Sequence, residues 1–283
     1  MHSRDPRAWI ADIAAYAFIA ITLIVAVTPI LWTFLSSFKF ATDIATVPPK
    51  LLFTPTLENY RIVIEQGSLL PGLRSSIVVT LGATVLSLLI GAPSAYYLAR
   101  SGGFVAVGLG GIVMSTRFIP VIVLLIPLLI AFRSLRLTGS FYGLMIAYQL
   151  ATLPFVILVL WAAFTQIPRE LDEAVLIDGG TPFTAFVRVN LPLAAPSVGA
   201  ATILAALFSW NQFIIPVIIG SGGGAPLAIM GFARYAGGEE ALADWGPLSA
   251  WASILMMPMI AGAFIVQRHL IAAFGGEAPS DSS

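Results

Sequence analysis

The sequence predicts an all-α membrane protein with six transmembrane helices, and three observations support this fold class. Hydrophobic residues make up 58% of the 283 residues and charged residues only 10%, whereas soluble domains carry about 25% charged residues. No Asp or Glu occurs between Glu65 and Glu170, and a water-facing domain would not lack acidic residues over so long a stretch. The apolar stretches are continuous rather than alternating, which excludes the strands of a membrane β-barrel.

The composition also excludes several kinds of chemistry. The sequence contains no Cys, which excludes disulfides, thiol catalysis and Cys-based metal sites. Its two His residues, His2 and His269, lie at opposite ends of the chain. We therefore expect no metal centre and no His-based active site. The apolar composition, with no excess of basic residues, also argues against nucleic-acid binding.

A transmembrane helix needs about 20 mostly apolar residues, because about 30 Å of hydrocarbon is crossed at about 1.5 Å per residue. The second stretch of this kind ends at Arg100, and the third contains Arg117. We expect the spans to form a single transmembrane domain over residues 1–283. Six windows meet the requirement, at residues 13–35, 77–99, 104–131, 141–164, 197–219 and 248–266.

Proline and glycine set the limits of several windows. The first window is too long for a cleavable signal peptide and lacks a small-residue cleavage site. Pro192 and Pro196 precede the fifth window, and a glycine-rich turn that reaches Pro226 follows it. The sixth window is closed by Gln267 and Arg268. Membrane helices tolerate their internal Gly and Pro residues because neighbouring helices satisfy the freed backbone groups.

An even number of spans places both termini on one side of the membrane. Basic residues are almost equally divided between the two sets of loops, so the positive-inside rule discriminates weakly. Arg4 and Arg7 flank the first span, which usually dominates the orientation. We therefore favour termini on the inside.

The loop at residues 167–196, which we call the acidic loop, is the most informative segment. Four of the 14 acidic residues fall between Glu170 and Asp178. Pro168 suits the start of a helix, and acidic residues are favoured in the first turn by the helix dipole. Gly179 and Gly180 then predict the end of this helix in left-handed geometry.

A second short helix is predicted to follow directly. Thr181 is a suitable N-cap, and Pro182 suits the first helical position. Phe183 and Phe186 then lie on one apolar stripe, and the Leu-Pro pair that ends at Pro192 returns the chain to the membrane. Two interpretations stay open from these residues alone, a docking element for a partner protein and an amphipathic segment lying at the membrane surface.

The acidic loop resembles the Glu-Ala-Ala loop of permease subunits from ATP-binding-cassette (ABC) importers. That motif reads Glu-Ala-Ala, three residues, Gly, nine residues, Ile, one residue and Leu-Pro. Val175 replaces the second Ala here and Val189 replaces the Ile, and every spacing is kept by Glu173, Ala174, Val175, Gly179, Val189, Leu191 and Pro192. Residues 53–60 and 210–213 are further similar to the carbohydrate-type family, which includes maltose and glycerol-phosphate permeases.

The resemblance implies a type I importer permease whose acidic loop is a cytoplasmic coupling helix that docks on an ABC ATPase dimer. It further implies a second homologous permease subunit in a heterodimer and an extracytoplasmic solute-binding protein. The implied location is a bacterial cell membrane, crossed several times, with both termini cytoplasmic. The residues implied in ATPase coupling are Glu173, Ala174, Asp178, Gly179, Phe186, Leu191 and Pro192.

The energy source is expected on the partner. The sequence has no Gly-x4-Gly-Lys-Ser/Thr phosphate loop. We therefore expect this chain to bind no cofactor itself, with ATP and Mg²⁺ held by the ATPase.

Candidates for the substrate pathway lie inside the predicted spans. Aromatic stacking with amide groups suits an uncharged sugar or polyol better than an ion. Arg117 is the only charge well inside a span, and such charges are functional candidates because they are costly in lipid. Structural roles stay open for these residues. Trp210 could pack between helices, and Arg117 could bond to backbone carbonyls of the bundle. The candidates are Trp210, Asn211, Gln212, Tyr148, Gln149 and Arg117.

Other function classes find little support in the sequence. A membrane-embedded enzyme needs carboxylates or His within the spans, and the six windows carry none except at their edges. A channel would call for a repeated pore segment or a charged ring, and neither is visible. The expected function is therefore a non-enzymatic importer subunit for a sugar or related polyol, with a non-sugar solute such as glycerol phosphate as the alternative.

Overall fold

The computed structural model describes residues 6–220, 223–238 and 245–274, and it confirms the all-α fold class for these ranges. In chain order the helices are α1 (Pro6–Ser36), α2 (Ala41–Ile44), α3 (Glu58–Glu65), α4 (Leu69–Arg100), α5 (Gly103–Ser115), α6 (Val121–Ser134), α7 (Phe141–Ala147), α8 (Gln149–Thr165), α9 (Glu170–Ile177), α10 (Pro182–Ala185), α11 (Leu191–Leu193), α12 (Ala195–Trp210), α13 (Ile214–Ile219), α14 (Ala228–Ala236) and α15 (Trp245–Phe274). A π-helical turn at Phe186–Asn190 joins α10 to α11. The two termini, predicted to be cytoplasmic, lie outside the described residues.

Three single helices of the described chain are long and apolar enough to cross a membrane, and bent helix pairs raise this number to as many as five. The long helices α1, α4 and α15 contain the predicted first, second and sixth windows. Helix α4 has 32 residues and extends the second window by about two turns toward its N-terminus. The described chain is therefore consistent with six spans, although not all of them are straight.

The fourth and fifth windows are interrupted. Helices α7 and α8 form a pair bent by 48° at Tyr148. The fifth window is α12 followed by α13, with residues 211–213 between them. Pro216 lies in the first turn of α13, where a missing N–H does not weaken the helix. A second bend of 79° separates the Pro182–Leu193 segment from α12, so the chain turns at Ala194, two residues after the predicted Pro192.

The third window differs most from the sequence-based expectation. Residues 104–131 do not form one helix, because α5 ends at Ser115 and α6 begins only at Val121. Each helix is shorter than the roughly 20 residues that a straight span needs. Pro120 explains the interruption, since its ring disfavours helical geometry at the preceding residue. Arg117 therefore lies in a break between helices rather than within one.

The chain divides into two compact units. The smaller unit comprises residues up to Gly67 together with Phe232–Met256. The larger unit comprises Ser68–Gly231 and the chain from Met257 onward. The sequence-based expectation of a single domain over residues 1–283 remains a prediction.

In the larger unit, α4 and α8 pack closely over most of their length. A Cβ added at Gly91 would lie 2.8 Å from Val156 Cγ1, so this glycine permits the close approach of the two helices. Two apolar clusters follow along α4. One surrounds Val79 and Ala83, and the other surrounds Ala95 and Ala99 near the C-terminus of the helix. The second cluster supports the acidic loop.

In the smaller unit, a buried cation fixes the segment that follows α1. Lys39 is only 1% exposed, and its Nζ donates a hydrogen bond of 2.7 Å to the carbonyl of Lys50. The ammonium lies 4.4 Å from the ring centroid of Trp32 and 5.0 Å from that of Phe53. Aromatic faces and a carbonyl thus replace part of the hydration that the buried charge loses.

Candidate functional site

The acidic loop folds as two short helices separated by a glycine corner, as the sequence predicts. Gly179 has φ +80°, and its N–H donates to the carbonyl of Leu176 while the N–H of Gly180 donates to that of Val175. These two bonds satisfy carbonyls that the end of α9 would otherwise leave unpaired. The Thr181 hydroxyl then accepts a 3.2 Å bond from the N–H of Thr184 and caps α10.

The outer face of the loop combines apolar and acidic groups. Glu173, Ala174, Asp178 and Gly179 are all exposed. Among the described residues, Glu173 forms no salt bridge. Exposed apolar side chains surround these groups, and Ile177 and Phe183 are 86% and 73% exposed. Such a mixed surface is typical of a protein-docking site, where apolar groups supply the contact area and charges set the orientation.

The inner face of the loop is held against α4 by one arginine. Arg100, the last residue of α4, donates from Nε to Asp172 Oδ2 in a salt bridge. Its Nη1 donates to the carbonyls of Phe164 and Ile167 at 3.0 and 3.1 Å, and its Nη2 donates to Asn190 Oδ1 at 2.7 Å. A single side chain therefore contacts the start, the first helix and the end of the loop region.

Two further polar side chains complete this cluster. Asn190 is fully buried, and its Nδ2 donates to Asp172 Oδ1 and to the carbonyl of Ala185. The Tyr96 hydroxyl donates to Asp172 Oδ2 at 3.2 Å. In the opposite direction, Arg169 Nη2 donates to the carbonyl of Ala99 at 3.2 Å. We call Arg100, Asp172 and Asn190 the anchor triad, because they join the loop to α4.

An aromatic cluster packs beside the anchor triad. The ring centroid of Tyr96 lies 5.1 Å from that of Phe186 and 5.9 Å from that of Phe164. Phe186 thus packs inward against α4 and α8, whereas Phe183 points outward. Of the other predicted coupling residues, Leu191 is partly buried and Pro192 is exposed.

A cavity of about 250 Å³ opens between the loop and the end of α4. Its polar lining includes Arg100, Arg169, Asp172 and Glu173, and Leu176 and Pro182 form part of its apolar wall. The two faces of the loop therefore meet at this cavity.

Tyr148 and Gln149, two of the pathway candidates, lie in the packed interior of the larger unit. Tyr148 is 2% exposed at the bend between α7 and α8. Gln149 Nε2 donates to the carbonyls of Ala83 and Met145, and its Oε1 accepts a 2.7 Å bond from the Ser87 hydroxyl. The bonding groups of Gln149 are thus used between α4 and α8.

The remaining pathway candidates lie at helix breaks. Trp210 is the last residue of α12, and Asn211 and Gln212 follow it in the break before α13. Asn211 is exposed and Gln212 is partly buried. Arg117 Nη1 lies 3.4 Å from the carbonyl oxygen of Ala151, and its guanidinium lies 5.9 Å from the ring centroid of Phe155. The exposed Arg117 therefore contacts α8 through a backbone carbonyl and a ring face.

The sequence pattern does not indicate the anchor triad. Asp172 is one of the four acids of the acidic loop, and its side chain is 8% exposed and faces inward. One signal was available, because the chain carries no acidic residue between Glu65 and Glu170. Arg100 ends an apolar span within that stretch, so the first carboxylates that follow it in the sequence are those of the acidic loop.

Comparison with known proteins places the chain in a family. The family described as "Binding-protein-dependent transport system inner membrane component" matches residues 87–275. A trehalose transport system permease protein of Mycobacterium tuberculosis is 33% identical over 266 residues, covering 92% of this chain and 95% of that protein. A diacetylchitobiose uptake system permease protein of Streptomyces coelicolor is 29% identical over 259 residues, covering 90% of this chain and 85% of that protein.

Solved structures support the fold. A bacterial ABC transporter involved in the import of the acidic polysaccharide alginate contains a chain that matches with a TM-score of 0.78 at 21% identity, covering 95% of this chain and 99% of that chain. A chain of a methionine ABC transporter matches with a TM-score of 0.55 at 22% identity, covering 73% of this chain and 98% of that chain. The protein is a membrane component of a transport system rather than an enzyme, and it belongs to the family of binding-protein-dependent transport system inner membrane components.

Proposed function

We propose that this chain is the permease subunit of an ATP-driven importer that moves a sugar or related polyol across a bacterial cell membrane. A solute-binding protein outside the cell delivers the cargo, and an ABC ATPase dimer in the cytoplasm supplies the energy. ATP and Mg²⁺ bind to the ATPase. The chain itself forms one half of the translocation pathway, and a second, homologous permease subunit forms the other half.

The observation that carries this proposal is the two-sided acidic loop. Its outer face presents Glu173 and Asp178 among exposed apolar groups that include Ile177 and Phe183. Its inner face is bonded to α4 through Arg100. A segment that is exposed on one face and fixed to a membrane helix on the other suits the transfer of movement from a partner to the bundle.

Coupling follows from this arrangement. Closure of the ATPase dimer on ATP pulls the two docked loops of the permease pair toward each other. Because each loop is fixed to its own bundle, the bundles rotate and access changes from the inner to the outer side. Glu173 and Gly179 act at this contact, the first through its charge and the second through the corner that orients α9 and α10.

The cargo class is inferred from the relatives and from the residues in the break after α12. The relatives are described as permeases for trehalose, diacetylchitobiose and sulfoquinovosyl glycerol, all of which carry sugar groups. Trp210 offers an aromatic ring, and Asn211 and Gln212 offer amides that can both donate and accept hydrogen bonds. This combination suits the hydroxyl groups and apolar faces of a sugar ring.

The topology follows from the same proposal. The acidic loop must lie in the cytoplasm to meet the ATPase. The loop follows the fourth of the six predicted spans, so an even number of crossings separates it from each end of the chain. Both termini are then cytoplasmic, as the arginines before the first span favour.

Transport by the reconstituted complex tests the proposal. The chain is purified with the ABC ATPase and the second permease that assemble with it in cells, reconstituted in proteoliposomes, and supplied with binding protein loaded with radiolabelled trehalose or diacetylchitobiose. The expected result is uptake that requires ATP, the binding protein and this chain. Uptake independent of ATP, or an ATPase that does not assemble with the chain, would contradict the proposal. A thermal-shift screen of the binding protein against sugars and glycerol phosphate separates the two cargo classes.

A further inference from the structure

Arg100 forms an unusually complete set of hydrogen bonds for a residue at the end of a membrane helix. Its Nε, Nη1 and Nη2 together donate to four acceptors, which lie on Asp172, Phe164, Ile167 and Asn190. Phe164 lies just before the acidic loop, and Ile167 is its first residue. Asp172 lies in the first helix of the loop, and Asn190 ends its π-helical turn. The planar fork of an arginine can hold several acceptors at fixed angles, which a lysine cannot do.

The acceptors are themselves fixed in place. Asp172 accepts hydrogen bonds from Arg100, Tyr96 and Asn190, and Asn190 also donates to the carbonyl of Ala185. The π turn at Phe186–Asn190 follows Ala185 directly, and the side-chain amide of its last residue, Asn190, bonds back to the Ala185 carbonyl. Because Asp172 and Asn190 are buried, loss of one partner would leave a buried polar group unpaired, and this strongly favours the intact cluster.

We propose that Arg100 is a positioning residue that locks the acidic loop to α4, so that the loop and the helix move as one body. The inference rests on the proposed function, in which the ATPase moves the loop. Without the lock, a pull on the outer face would displace the loop locally and leave α4 behind. The tilted aromatic contact between Tyr96 and Phe186 adds apolar packing between the two elements, but such packing is less directional than the hydrogen bonds of Arg100.

The first test measures the seating of the loop in the permease itself. The chain has no native Cys, so Ala185→Cys introduces a single thiol at a position that is 0% exposed. In otherwise unchanged protein this thiol should be protected from a maleimide. Adding Asp172→Asn should raise its labelling rate about tenfold or more, the range expected for loss of a buried charged partner. Arg188→Cys, at an exposed position of the same loop, should label rapidly in both backgrounds.

Equal protection of the thiol introduced at position 185, with and without Asp172→Asn, would overturn the lock. This measurement needs no ATPase, so its failure is distinct from a failure of the proposed function. If Asp172→Asn does not reach the membrane, Asn190→Ala serves in its place, because it leaves the Arg100–Asp172 salt bridge intact. It should produce a smaller but measurable rise in labelling, and no rise would again contradict the lock.

The second test measures coupling in the full complex. Arg100→Gln and Asp172→Asn should lower the number of solute molecules imported per ATP hydrolysed by about tenfold, which is within the range for residues that carry coupling. The ATPase should still co-purify, because the outer face of the loop is unchanged. Arg100→Lys, which retains the charge but not the fork, should recover only part of the ratio. An unchanged number of solute molecules imported per ATP in Asp172→Asn would overturn the proposal. Failure of the wild-type chain to bind an ATPase would instead contradict the proposed function.

Discussion

Asp172 and Glu173 are consecutive residues of α9 whose side chains lie on different faces of the helix. Asp172 is 8% exposed and bonds to Arg100, whereas Glu173 is exposed and forms no salt bridge within the described residues. Successive residues of a helix point about 100° apart, so adjacent acids can serve different roles. One carboxylate fixes the loop to the bundle, and the other faces outward toward a partner.

Replacement of Glu173 should therefore strongly reduce transport without unfolding the protein. Glu173→Gln removes an exposed charge, so the membrane level of the protein should not change, while uptake should fall about tenfold or more through loss of a charge-assisted contact to the ATPase. Uptake of radiolabelled solute by cells, normalised to the protein level on an immunoblot, measures both. Glu65→Gln is the control, because it also removes one exposed acid, and its exposed pair with Arg61 in α3 contributes little to stability. Normal uptake by Glu173→Gln would contradict the role assigned to this side chain.

The glycine corner should be sensitive to side chains for two separate reasons. At Gly179 the space is open but φ is +80°, so Gly179→Val should destabilise the corner by about 1–2 kcal/mol, and Gly179→Asn should be better tolerated. At Gly180 a Cβ would lie 2.8 Å from the carbonyl oxygen of Val175, so Gly180→Ala should displace α10. Uptake assays of the three variants measure the effect. Gly199→Ala, where a Cβ meets no atom within 4 Å, is the control. Equal uptake by Gly179→Val and Gly199→Ala would show that the corner needs no glycine.

The turn between α6 and α7 should depend on Gly143. A Cβ at this position would lie 2.0 Å from the carbonyl oxygen of Leu137, and the N–H of Gly143 donates a 3.0 Å hydrogen bond to the Ser140 hydroxyl. Because the conflicting atom is backbone, Gly143→Ala should lower the melting temperature of the detergent-solubilised protein. Gly111→Ala, which meets no atom within 4 Å, should leave it nearly unchanged. Identical melting temperatures for the two variants would contradict the packing described for this turn.

Replacement of Gln149 should affect mainly stability, whereas replacement of Asn211 should affect mainly transport. Gln149 bonds to Ser87 and to two backbone carbonyls, so Gln149→Leu should reduce stability by about 1–3 kcal/mol and leave the KM for uptake unchanged. Asn211 is exposed in the break after α12, so Asn211→Ala should alter the KM with little effect on stability. Melting curves and uptake kinetics of both variants make the comparison. A reversed pattern would move the pathway to the α4–α8 interface.

The features that the sequence predicts correctly are those set by local chemistry. The apolar windows predict the helical fold because chain length and lipid thickness determine each span. The corner at Gly179 and the cap at Thr181 are equally local, since each involves residues within five positions of one another. The match of the loop to the Glu-Ala-Ala pattern extends this local signal to the family.

The features that escaped prediction depend on distant residues or on fine geometry. Arg100 and Asp172 are 72 positions apart, and no periodicity of the sequence indicates that they meet. Asn190 is buried at the end of the π turn, and such a turn has no clear composition signal. The break in the third window arises at Pro120, a residue that membrane helices often tolerate, so hydropathy alone favoured one continuous span.

Photo-crosslinking from Ile177 tests the central claim most directly. Ile177 lies on the outer face of the acidic loop and is 86% exposed, and Leu52, in the loop after α1, is a matched apolar control that is 90% exposed. A photoreactive amino acid is placed at each position in cells that contain the whole transporter, and the adducts are identified by mass spectrometry. Docking predicts an adduct between position 177 and the ABC ATPase, and none between position 52 and that protein. An ATPase adduct from position 52 but not from position 177 would contradict both the coupling role of the loop and the proposed orientation in the membrane.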